Sequence, residues 1–235
     1  MFGLILIAVG LRVYVTEAFK VPSASMWPTI MVQDHIFVSK FARIPDYGEV
    51  IVFAYPSGGN TDYVKRAIAL TGDHVQFEGS LPIINGWRVP RCPIGKIGYP
   101  DEDKVVHEGE AFVESLGKYR YLVWEERDTA GVDPFQFDVP RGEVFVVGDN
   151  RSNSLDSRYW NEGKGGAVAP NDVKGRGSIV WLSFDEKGNI NTERMIRHFA
   201  DPPLLPKWAT VEVKAKFEAC MSNAPSQTRP PKRTR

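Results

Sequence analysis

The sequence predicts a mostly β protein, and three observations carry that prediction. Some stretches alternate apolar and polar residues with the period of a strand, as in "DHIFVSKF" and "DYVKRAIAL". Others are short apolar runs closed by Pro, Gly or Asp, namely "GEVIVFAYP", "GEVFVVGDN" and "GSIVWLSF". No internal repeat and no long helical heptad interrupts this pattern. At 235 residues with 43% hydrophobic side chains, the chain can bury a core as one large domain or two small ones.

The first element is "MFGLILIAVGLRVYVTEAF". Met1 to Leu11 is uncharged and mostly apolar, Arg12 interrupts it and Val13 to Val15 resumes, which falls short of the roughly 20 apolar residues that span a bilayer. A cleaved signal peptide would carry a basic stretch ahead of its apolar run, and none is present. The expectation is a partial membrane anchor over residues 1–18, the end of a longer membrane helix, with a buried soluble strand or helix as the competing reading.

After Pro22 come the alternating segment at Ile36–Ser39, the apolar run before Pro56, and "DYVKRAIAL", the last two joined by a hairpin loop "PSGGNT". From Gly79 to Pro140 the chain loosens into Gly, Pro, charged segments such as "PDEDK" and the turn in "IINGWRV". This predicts a smaller inserted β-domain over 79–140 that splits the main β-domain into 19–78 and 141–200. In the extension 201–235, "KWATVEVKAKFEACM" alternates like a strand yet has helical composition, so its type stays open. The end, "PSQTRPPKRTR", holds Arg229, Lys232, Arg233 and Arg235 with no acid and reads as a disordered basic tail.

Lysine plus arginine and aspartate plus glutamate both number 29, so overall charge points to no nucleic-acid partner. Cys92 and Cys220 sit in no metal-ligand spacing, and sequence alone cannot pair them. The four histidines are scattered, with no HExxH and no Cys/His cluster. The chemistry therefore implies no metal, no organic cofactor and no histidine base.

What remains is serine. Ser23 and Ser25 lie between prolines in "FKVPSASMWPT", beside the apolar pair Met26 and Trp27. A serine hydroxyl is a weak nucleophile and needs a base within reach; with no GxSxG elbow and no motif histidine, a neutral lysine is the alternative. Lys65 is the candidate, sharing a strand face with Tyr63, Ala67 and Ala69 rather than with charges. Burial would have to lower its pKa by a few units, and a lysine reaching solvent from a strand edge is the plainer reading of the spacing. The third polar cluster is "GDNRSNSLDSRYW", Gly148 to Trp160, more polar than a connection needs; an Asx-rich turn held by Asp156 and Arg158 would also account for it.

Taken together and in this order, "PSASMWPT", "DYVKRAIALTGD" and "GDNRSNSLDSRYW" resemble the type I signal peptidases, membrane-bound serine proteases with a Ser/Lys dyad. The resemblance implies a signal-peptidase-like β-fold, with Ser25 as nucleophile and Lys65 as general base. It implies that Ser23 joins the backbone N–H of Ser25 in an oxyanion hole and that Ser154 orients the Lys65 amine. Asp149 with Arg66, and Asp156 with Arg158, are then structural ion pairs. Phe19, Val21, Met26, Ile30 and Tyr63 match pocket-lining positions for small residues, typically alanine, three and one places before the cut bond. An extended peptide would add as a strand beside the serine loop.

Partners implied are preprotein signal peptides and membrane lipid, with a monomer expected. The implied location is the bacterial cytoplasmic membrane with the catalytic domain on its outer side. Met26 and Trp27 then read as an apolar surface dipping into the bilayer. Gln33 and Asn161 depart from the family pattern where glycine is frequent, and Thr71 where proline is common. Two other readings stand beside this one: a pilin-processing Ser/Lys peptidase of a conjugation system, and a non-catalytic, membrane-associated β-domain that binds extended peptides.

Overall fold

Alternation in the sequence becomes strands in the computed structural model, which describes residues 16–40, 44–56, 58, 61–101, 103, 105–126, 135–185 and 188–233. The largest sheet holds β1 (Thr16–Lys20), β2 (His35–Ser39), β3 (Val50–Ala54), β4 (Asp62–Ala69), β12 (Phe145–Val147), β13 (Val173–Leu182) and β14 (Arg197–His198). Its order is β1-β2-β13-β3-β4-β12, with β14 on β13, and every pairing is antiparallel. The apolar run of β3 lies at the centre because Val50 to Phe53 are at most 1% exposed and contact both faces. In β2 the period of two survives: Ile36 and Val38 face the core, while Phe37 stacks on Trp181 outside.

Two smaller sheets occupy the middle of the chain. One has the order β11-β5-β6-β7, from Gln136–Asp138, His74–Glu78, Leu81–Ile84 and Trp87–Arg88. Asn85 and Gly86 join β6 to β7 with φ of 53° and 77°, the left-handed pair that a two-residue hairpin turn requires. The other has the order β10-β9-β8, from Tyr119–Glu126, Val106–Leu116 and Arg91–Pro100.

The structure departs from the sequence reading, or decides what that reading left open, at four places. Strand β5 pairs with β6 and β11, so the second β-region opens at His74 rather than Gly79, because the turn at Gly72 (φ 81°) redirects the chain out of β4. Strand β1 begins at Thr16, within the stretch expected as anchor; the rest of that expectation, residues 1–15, lies outside the described residues. The ambiguous segment is a helix, α1 (Val211–Ser222), capped by Thr210, whose hydroxyl accepts from Val213 N. Its Val213, Phe217 and Cys220 follow helical spacing and pack on one cluster with Ile94, Ile97 and Trp124, and Cys220 is disulfide-bonded to Cys92 of β8.

The tail, finally, lies along the surface rather than free. Gly117 N donates to Thr228 O, Arg229 pairs with Asp46, Asn85 donates to Pro231 O and Arg233 pairs with Asp138. Its cations find carboxylates on the folded body, which the tail's own composition does not reveal. Among the described residues no helix is long and apolar enough to cross a membrane.

Candidate active site

The segment between β1 and β2 closes at its base, with Val21 N donating to Asp34 O and Gln33 N to Val21 O. Gln33 stands there with φ 71°, a left-handed conformation that explains why glycine suits the position. Within the loop, Trp27 N bonds Ala24 O and Ile30 N bonds Met26 O, so the backbone around Ser25 is a sequence of tight turns. Asn150 N donates to Ser25 O at 3.1 Å, which fastens the serine to the turn after β12.

Lys65 enters from β4, and its Nζ lies 2.6 Å from Ser25 Oγ. Ser23 Oγ is 3.2 Å from the same oxygen on its solvent side. Lys65 is 2% exposed, so burial pushes its pKa down to about 8; Asp156 and Asp149 oppose the shift and Arg158 assists it. Its nearest ring is Tyr63, 5.4 Å from Nζ. The lysine thus has the aromatic neighbour expected from strand spacing, and also feels three charges that the strand pattern does not show.

Next in the chain, Arg66 turns to the opposite face and is buried against Asp149 through two bonds of 2.7 and 2.6 Å. It also donates to Gly48 O, and its guanidinium stacks 3.7 Å above the Tyr121 ring. Thr29 Oγ1 donates at 2.5 Å to Asp149 Oδ2, the same oxygen that accepts from Arg66 Nη2. A second buried pair, Asp156 with Arg158 at 2.8 Å, shapes the turn, and Asp156 also accepts from Gly148 N. Arg158 holds the Asp156 carboxyl below its usual range.

Ser154 does not hydrogen-bond to Lys65. Its buried hydroxyl lies beside the Asp156 carboxylate, which it helps to keep ionised, and packs against Gly148, where a Cβ would stand 2.3 Å from Ser154 Oγ and 2.4 Å from Ser25 O. Only a glycine lets these two serine segments approach so closely.

Of the residues expected to line a peptide pocket, Phe19 and Tyr63 are half-buried. Val21, Met26 and Ile30 are core instead, at most 2% exposed and packed with Ile36, Val38 and Val180. The surface expected to dip into a bilayer is also internal: Trp27 is 3% exposed, 5.1 Å from the Tyr99 ring and 5.8 Å from Trp124. Rings from β8 and β10 cover it, and their approach depends on tertiary packing that local spacing does not encode.

Sequence reasoning missed the support behind the turn. Glu114 of β9 is fully buried between two arginines, with Arg151 at 2.5 Å and Arg91 at 2.6 Å, and these hold its carboxyl down at about 2. Arg151 also donates to Gly148 O and Ser80 O. The available signal was a lone glutamate inside the apolar run "AFVESL", together with an arginine in the motif that had no assigned partner.

A nucleophile-length contact between a buried amine and a serine hydroxyl, with fixed donors nearby, can perform acyl transfer. Comparisons with known proteins agree with that chemistry. The family model described as signal peptidase, peptidase S26, matches residues 1–182. Signal peptidase I of Pseudomonas aeruginosa is 34% identical over 218 residues, covering 83% of this chain and 75% of that protein. Signal peptidase I of Rickettsia prowazekii is 32% identical, covering 76% of each chain, and that of Aquifex aeolicus is 30% identical, covering 78% of this chain and 82% of its own. These matches favour neither the pilin-processing nor the non-catalytic reading, and the chain belongs to the signal peptidase family, peptidase S26, whose members are serine peptidases.

Proposed function

We propose that this serine peptidase removes signal peptides from exported preproteins, with Ser25 as nucleophile and Lys65 as general base. The observation that carries the assignment is the 2.6 Å approach of Lys65 Nζ to Ser25 Oγ in a site where the amine is 2% exposed. Neutral Lys65 takes the Ser25 proton as Oγ bonds to the scissile carbonyl carbon. The resulting oxyanion is met by the Ser23 hydroxyl and the Ser25 N–H. Collapse breaks the C–N bond, and the lysine ammonium returns its proton to the leaving amine. A water, deprotonated by the same lysine, then hydrolyses the acyl ester.

The peptide binds extended, with Phe19 and Tyr63 in contact and Val21, Met26 and Ile30 forming the floor behind them. Small residues are preferred three and one positions before the cut. In this proposal Ser154 turns to the Lys65 amine only when substrate closes the site. The domain division keeps a main β-domain carrying the dyad and a middle β-region bracing it. The enzyme works on the outer side of a bacterial cytoplasmic membrane; a disulfide between Cys92 and Cys220 suits that side, since such bonds persist in oxidising compartments.

The test is cleavage of a detergent-solubilised preprotein bearing an Ala-x-Ala site by the native chain, Ser25→Ala and Lys65→Ala, with product ends read by mass spectrometry. Cutting after the second alanine by the native chain alone supports the assignment. Equal cutting by all three removes it, and so does a folded native chain that never cuts.

A further inference from the structure

Between the edge of β10 and the segment 194–204 lies a cavity that the acyl-transfer chemistry does not use. Arg120, Tyr121, Arg194, Arg197 and His198 line it, with Asp201 as a carboxylate in its wall. Two of them keep a buried donor with no partner among the described residues: the hydroxyl of Tyr121, a side chain 2% exposed, and the Nε–H of Arg120. A buried donor left unbonded costs about 1–3 kcal/mol, so two such groups around one space call for an acceptor in it.

No neighbouring group bonds these two donors among the described residues. Both terminal nitrogens of Arg120 donate to the Cys220 and Met221 carbonyls at the end of α1. Arg197 donates to Pro202 O, and Asp201 is engaged by His198 N. Arg194 is neutralised by Asp34, whereas the guanidinium groups of Arg120 and Arg197 bond backbone carbonyls and make no ion pair among the described residues. The wall therefore offers unused donors together with an excess of positive charge, Arg120 and Arg197 standing against the single carboxylate of Asp201.

We propose that this cavity binds a compact oxyanion, a phosphate group being the fitting class. Its several oxygens can accept from the Tyr121 hydroxyl and the Arg120 Nε–H together, and its charge offsets the excess of guanidinium over the Asp201 carboxylate. Thr29 also lines the cavity, and its hydroxyl donates to the Asp149 carboxylate, so the site adjoins the ion pair beside Lys65. The phosphate comes from a soluble anion or from a lipid headgroup.

Calorimetric titration of the detergent-solubilised full chain with inorganic phosphate, at constant ionic strength against chloride, is the measurement. One saturable site is expected, weakened about fivefold or more by Tyr121→Phe, as the loss of one net hydrogen bond would give, and likewise by Arg197→Gln. Melting of both variants in chloride establishes that they are folded. No saturable binding, or affinity unchanged in both variants, overturns the proposal and leaves the cavity to ordered water. Vesicles of phosphatidylglycerol that displace bound phosphate identify a headgroup as the ligand; absence of displacement identifies a soluble phosphate.

Discussion

The burial that would let Lys65 act as the proposed base costs the fold stability. Lowering its pKa from 10.5 to about 8 corresponds to about 3 kcal/mol at about 1.4 kcal/mol per unit. The folded pKa lies below the unfolded one, so the unfolded chain binds more protons between those values and stability rises with pH across about 8 to 10.5. Lys65→Met should therefore melt above the native chain at pH 7, with the gap closing as pH climbs from 8 to 10; thermal melts at stepped pH check this, and a constant gap contradicts it. The same titration predicts that kcat/KM rises tenfold per pH unit below about 8 and levels above it. Gly148→Ala is the complementary case: its Cβ would meet Ser154 Oγ and Ser25 O below 2.5 Å. Loss of 1–3 kcal/mol, of the size overpacking produces, with cleavage reduced at least about a hundredfold, is expected from denaturant melts and turnover. Ser25 and Lys65 are singled out by the resemblance of three motifs taken together, since strand spacing alone favours a lysine reaching solvent, and the fold brings them within 2.6 Å. The core positions of Met26 and Trp27 are not legible in the sequence, since the rings that cover Trp27 come from residues 99 and 124.

At the level of elements, period-two alternation and short apolar runs revealed β2, β3, β4, β12 and β13, because each is decided by its own side chains. Which sheet a strand joins is decided by partners far along the chain, which is why the sequence did not reveal that β5 pairs with β6 and β11. The buried Glu114 cluster belongs to the same class, uniting residues 91, 114 and 151 through sheet register. Removing the charge of Glu114 leaves Arg151 without its carboxylate in the interior and Arg91 with Glu125 alone, so Glu114→Gln should cost about 3–5 kcal/mol in chemical denaturation. With a folded pKa of about 2, against 4.5 unfolded, the stability Glu114 contributes is present above pH 4.5 and drains away as pH falls toward 2. The native chain should thus lose stability over that window more steeply than Glu114→Gln does. The type of α1 was undecidable locally: its alternating valines suit a strand, and only packing of Val213, Phe217 and Cys220 on one cluster selects the helix.

Across the whole molecule, the disulfide ties α1 to β8 over a separation of 128 residues. Closing so long a loop in the unfolded chain is worth about 4–5 kcal/mol in the chain-entropy account. Cys92→Ala with Cys220→Ala should lower the melting temperature by several degrees while the Ser25–Lys65 contact, held by the main sheet, keeps its activity; melting and turnover of the double variant test both halves.

Strand β13 has a further consequence for when the enzyme comes alive. It lies between β2 and β3, so the hairpin carrying the serine loop and the hairpin carrying Lys65 are not sheet neighbours until Val173–Leu182 slots between them. A nascent chain emerging from its N-terminus has both reacting groups long before it has the strand that brings them together. Synthesis order then delays the site: activity is expected only from chains that extend past Leu182, which assays of chains cut before and after β13 would check.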